Sequence, residues 1–178
     1  KYKVMTKDTK IKNECLPDNG IFALLEFLIS EKESIKSKSA LLLGNFDSHH
    51  TSIINKFGFK IDEISEKKIN SIFHLKKFQK KYDVVICNHI IQYQRNTGFF
   101  LDKIFDILND NGVLVISGPK NSPEILMEGQ ISTCILPVFI QNLIYSGFDC
   151  KNGKMMSIGL LENSFIVTKD KNFDRGER

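Results

Sequence analysis

The sequence is short of several things, and each shortage narrows what the chain can be. Cysteine comes to four residues, Cys15, Cys87, Cys134 and Cys150, far apart and without a CxxC pair. That spacing argues against a disulfide framework or a zinc site and for buried free thiols in a reducing cytoplasm. Arginine is scarce, at 3 residues against 22 lysines, and the lysines are scattered among glutamates. Nucleic-acid surfaces favour arginine forks on a coherent basic face, so a net charge of +4 spread this way argues against nucleic acid as a partner. The densest basic run, KKFQKKY at 76–82, reads as a solvated helix face. No apolar run approaches the ~20 residues that cross a bilayer, and the lysine-bearing N-terminus has no signal-peptide core. The first residue is Lys1 rather than Met, as in a processed or trimmed chain. The chain has no G-x-G-x-x-G, no GK[ST], no repeat and no low-complexity tract.

What is present is an alternation of helical and extended patterns. At 178 residues, with 42% hydrophobic and 26% charged, the chain is long enough for one domain with a real core. GIFALLEFLIS (20–30) carries a helical stripe of Ile21, Phe22, Leu24, Leu25, Leu28 and Ile29. After the polar EKESIKSKS comes ALLLGN, a short apolar run suited to a strand covered on both faces. HTSIINKFG predicts a helix stopped by Gly58, and FKIDEIS (59–65) a second strand. INSIFHL predicts a third strand and KKFQKK a short helix, while YDVVICN (82–88) is the clearest buried strand. GFFLDKIFDILND (98–110) predicts an amphipathic helix, turned at Asn111-Gly112 into the strand VLVISGP. A helix over PVFIQNLIYSG and strands near 148–160 and 164–169 complete the pattern.

Strands alternating with helices predict an α/β domain with a doubly wound, mostly parallel sheet and helices on both faces. We divide the chain into an N-terminal segment with a leading helix (1–38), the main domain (39–170) and a flexible tail (171–178). Ligands in such sheets bind outside the carboxyl ends of the strands, at the switch point. That rule selects GNFDSHH, EISEKK and CNHIIQY.

The stretch YDVVICNHIIQYQRNTGFFLDKIFDILNDNGVLVISGPK (82–120) resembles the second half of a class I S-adenosylmethionine-dependent methyltransferase, a Rossmann-like domain with a late antiparallel strand. The family's fourth strand is followed by a histidine, here His89, and its late helix ends in Gly and Phe, here Gly147 and Phe148. The resemblance spans roughly residues 40–170 and implies S-adenosylmethionine as cofactor and a small molecule as methyl acceptor. It places the family's first glycine motif at Gly44, Asn45, Phe46 and Asp47, with Phe46 and Ser48 standing at glycine positions. It puts Ser65 where the family carries the carboxylate that holds the ribose, with Glu63 on the same side of the strand.

Asn88 is then a candidate contact to cofactor or substrate, and His89 a candidate base or orienting residue, against the plainer reading of a packed strand-end histidine. The adjacent His49 and His50 have no carboxylate–histidine spacing, so no metal site is assigned, and Asp47 or Ser48 reads as a helix cap. Residues 120–136 carry Ile125, Leu126, Met127 and Ile131, which need covering by a lid, a dimer contact or a local packing layer. Three functions stay open. One is a small-molecule methyltransferase, and another a methyltransferase-like domain that has lost the cofactor and serves as a binding or assembly module, with a homodimer or protein partner. The third is a different nucleotide binder, which the lone Gly44 supports least.

Overall fold

The computed structural model describes residues 20–30, 38–44, 46, 48–64, 80–120, 129–158, 162–170 and 172–174. In chain order these form α1 (Ile21–Ser30), β1 (Ser39–Gly44), α2 (Ser48–Lys56) and β2 (Lys60–Ile64). They continue with β3 (Tyr82–Asn88), a 3-10 turn (Ile91–Tyr93), α3 (Thr97–Ile107) and β4 (Leu108–Pro119). The last elements are α4 (Leu136–Tyr145), β5 (Phe148–Ile158) and β6 (Glu162–Lys169). The expected strand INSIFHL, most of the helix KKFQKK and the apolar loop residues 125–127 lie outside the described residues.

One six-stranded sheet runs in the order β2-β1-β3-β4-β6-β5. β1 pairs in parallel with β2 and β3, and β3 with β4, whereas β6 runs antiparallel to both β4 and β5. The doubly wound reading with a late antiparallel strand is therefore the observed fold. Strand order reverses at β1, so the carboxyl ends of β1 and β3 flank the switch point.

Alternation along the strands splits the core into two layers. Leu41, Leu43, Val85 and Cys87 face Phe100, Leu101 and Ile104 of α3 and Phe139 and Leu143 of α4. Ala40, Leu42, Val84 and Ile86 face Ala23, Leu24, Phe27 and Leu28 of α1 and Ile54 of α2. Those four α1 residues are at most 1% exposed, and burying each of the larger three stabilises the docked helix by about 2 kcal/mol. The α1 stripe is thus a core contact, with Phe22 and Ile29 left on its outer side.

Two boundaries differ from the sequence reading. α3 stops at Ile107 because Leu108 is already extended, at φ −80° and ψ 140°. The pairing of β3 with β4 then jumps from Tyr82–Leu108 to Val84–Val113, so Asn109–Gly112 bulge out inside one long strand instead of forming a turn before it. Asn111 takes a left-handed φ of 64° in that bulge. In β5 the ladder shifts between Asp149 and Lys154, where the Asp149 carboxylate accepts from the amides of Lys151 and Asn152. α4 begins with proline in its first turn and ends at Gly147, φ +92°, as the sequence pattern predicts. Past β6, Phe173 packs edge-on to Phe105, and a Cβ on Gly147 would lie 2.4 Å from its ring.

Candidate functional site

The site is built where β1, β3 and β4 end side by side. Gly44 pairs with Asn88, and Asn88 with Ser117. Gly44 adopts φ +119°, and a Cβ there would sit 2.3 Å from the Asn88 carbonyl oxygen. Only glycine can turn the chain at that position, which explains why this one residue of the glycine motif is kept. Asn88 is buried, and its Oδ1 accepts from the Ser117 hydroxyl at 2.9 Å. His89 follows with a left-handed φ of 46°, its amide donating to the Ser117 carbonyl at 3.2 Å.

A residue that sequence reasoning missed ties this end together. Glu162, the first residue of β6, is 3% exposed. Its Oε2 accepts from His89 Nε2 and from the Gly20 amide, both at 2.7 Å, and its Oε1 accepts from Ser164 Oγ at 2.9 Å. Burial pushes the Glu162 carboxyl up, but the hydrogen bonds from His89, the Gly20 amide and Ser164 outweigh it and hold the group below its usual range. The carboxylate therefore fixes the hydrogen of His89 on Nε2, leaving Nδ1 buried without a partner among the described residues. The only sequence signal was a carboxylate heading the polar start, Glu162-Asn163-Ser164, of a strand that continues as FIV.

Gly20 reaches the site from the residue just before α1. A Cβ on Gly20 would lie 2.1 Å from Asn88 Oδ1 and 2.7 Å from Ser117 Oγ. The main chain at the start of α1 is thus pressed into the switch-point crevice. The same crevice is lined by Leu24, Phe46, His50 and Asn88, and about 10 Å³ remains free inside it. The Phe46 ring packs edge-on to buried His50, centroids 5.9 Å apart. Phe46 also borders a broad open depression of about 710 Å³ along Ser48, Ser52 and Lys56 of α2, with Glu63 on its rim.

The structure accordingly brings Phe46 and Asn88 to the crevice, with Gly44 paired to Asn88 and His89 next to it on Glu162, while Glu63 is exposed at the depression. Asn45, Asp47 and Ser65 lie outside the described residues, so the expected cap and ribose position are not described. Nor is the side chain of His49. α2 begins at Ser48, slightly earlier than the sequence pattern predicts.

A cofactor of the size of S-adenosylmethionine needs a cleft of roughly 300 Å³ or more. The crevice holds at most about one water. Among the described residues, the crevice itself is too small for that cofactor, and the larger space adjoining it is the open depression along α2.

The comparisons agree on the architecture. No protein-family model matches the chain, and no curated protein matches it. Solved structures do. The 1,6-didemethyltoxoflavin-N1-methyltransferase of Burkholderia thailandensis, solved with S-adenosylhomocysteine bound, superposes with a TM-score of 0.67 at 13% identity, covering 89% of this chain and 82% of that one. The CurJ carbon methyltransferase gives 0.61 at 13% identity, covering 84% of this chain. A Streptococcus thermophilus protein assigned as a hemolysin gives 0.60 at 13% identity, covering 85%. The chain spans 54% of the CurJ protein and 66% of the hemolysin. The chain has the Rossmann-like fold of class I S-adenosylmethionine-dependent methyltransferases. Within that fold it is a form whose switch-point crevice is filled by α1, Phe46 and His50.

Proposed function

We propose that the chain is a methyltransferase-fold domain acting as a binding or assembly module, its cofactor crevice occupied by its own polypeptide. One observation carries this reading: the crevice between β1 and β3 retains only about 10 Å³, with Gly20 pressed against Asn88 and Ser117. The sequence departures run the same way, since Phe46 and Ser48 stand at glycine positions and Ser65 at the ribose carboxylate. On this reading the partner is another protein or a second copy of the chain, met in the cytoplasm.

A small-molecule methyltransferase is the second reading, favoured by the Glu63 carboxylate lining the same depression as Phe46. It requires α1 to withdraw, which breaks the Gly20–Glu162 hydrogen bond and exposes Leu24, Phe27 and Leu28. Isothermal titration calorimetry with S-adenosylmethionine and S-adenosylhomocysteine separates the two. The module reading expects no heat up to about 1 mM ligand and an unchanged melting temperature. Binding at about 10 μM would raise the melting temperature by roughly 5–10 °C at 1 mM ligand and overturn it.

A further inference from the structure

Beyond the 3-10 turn that follows β3, the chain passes through Gln94, Arg95 and Asn96 into α3. A second cavity opens there, of about 470 Å³, walled by Tyr93, Arg95, Asn96, Phe99 and Ile131. It shares no lining residue with the switch-point crevice. Its volume falls in the range of small-molecule sites.

Hydrogen bonds hold its walls. The amides of Ile131 and Ser132 both donate to the Gln92 carbonyl, at 3.0 and 3.2 Å, and so bind the far wall to the 3-10 turn. The side chains of Gln92 and Gln94 donate to the carbonyls of His89 and Ile90, at 2.8 and 3.2 Å, and so fix the turn to the end of β3. Gly129, at φ +77°, bends the chain beside the Tyr93 ring. The site is therefore preformed, which lowers the ordering cost of binding.

The chemistry of the lining is specific. Phe99 and Ile131 are 40% and 52% exposed, and with the half-buried Tyr93 ring they turn apolar surface toward one cavity. Among the described lining residues, Arg95 is the charged side chain. Its guanidinium is exposed and has no hydrogen bond or ion pair among the described residues. The Asn96 Oδ1 is taken by the Phe99 amide, so the side chain offers its NH₂ as a further donor. One guanidinium fork suits a single carboxylate, which it can bind bidentately. Flat apolar walls suit an aromatic ring.

We propose that this cavity binds a small planar aromatic acid, its ring against Tyr93 and Phe99 and its carboxylate on Arg95. The site stands whether or not the crevice admits a cofactor, so its test fails or succeeds independently of the proposed function. The experiment is calorimetry on the full chain with benzoate, its neutral isostere benzamide, and acetate. Benzoate is expected to bind with a Kd of about 1 mM, as its size allows. Benzamide, acetate and the Arg95→Met variant are expected to bind about tenfold more weakly or worse. Arg95→Lys is expected to recover part of the loss, since it keeps the charge without the fork. Arg95 is exposed, so an unchanged melting temperature will verify that the variants fold. Equal binding of benzoate and benzamide would overturn the proposal. So would benzoate binding to Arg95→Met as tightly as to the parent, or no saturable benzoate binding up to about 10 mM.

Discussion

Replacing Glu162 tests how the amino-terminal helix is held over the crevice. In the Glu162→Ala variant, the Gly20 amide and His89 Nε2 both lose their acceptor in a buried place. Leaving a buried donor unmade costs about 1–3 kcal/mol each. The expected destabilisation is therefore about 4 kcal/mol, read as a shift in the urea midpoint at unchanged slope. Glu162→Gln can keep the three contacts in neutral form, because its oxygen replaces Oε2 and its NH₂ can donate to Ser164. It loses only the charge assistance, about 1–2 kcal/mol.

The pH dependence follows from the depressed carboxyl of Glu162. Its contribution is full above the unfolded carboxyl pKa of 4.5 and is lost as pH falls through the lower folded value. The gap between parent and Glu162→Gln should thus be constant from pH 6 to 7 and shrink below about pH 4.5. Hydrogen exchange in α1 should quicken in Glu162→Ala beyond other helices. A Glu162→Ala variant as stable as the parent, or a gap that widens on acidification, would refute the role given to this carboxylate.

Other outcomes follow from the same structure. Gly44→Ala should cost at least about 3 kcal/mol, since the φ is +119° and the new Cβ meets the Asn88 carbonyl at 2.3 Å. Gly58→Ala, at φ +78° with nothing within 4 Å, should cost only about 1 kcal/mol, and paired urea melts compare the two. Leu28→Ala, at a fully buried position, should cost about 2–5 kcal/mol by calorimetric melting. Burial raises the Cys134 thiol to about 12 and the half-buried Cys150 to about 11, and pushes fully buried Cys87 well up. A thiol reagent at pH 8 should label Cys150 first of these three, and Cys87 and Cys134 only as the protein unfolds, as peptide mapping would show.

The fold was legible because its signals are local. ALLLG and YDVVICN carry unbroken apolar runs, and the alternate residues of each do face opposite layers. The boundary at Leu108 was not legible, because FDILND continues a helical stripe and only pairing with Tyr82 makes Leu108 extended. The site was half legible. Gly44, Asn88 and His89 follow from strand ends, but Glu162 meets Gly20 across 142 residues of sequence. Such a contact leaves no periodicity to read.

The central claim is that the crevice belongs to the polypeptide, and amide NMR of the full chain titrated with S-adenosylhomocysteine tests it at the atoms concerned. The amides of Gly20, Gly44 and His89 report on the three walls. The account predicts that none of them shifts up to about 1 mM ligand. Saturable shifts at Gly20 and Gly44 together would show cofactor entering behind a displaced α1 and would contradict it.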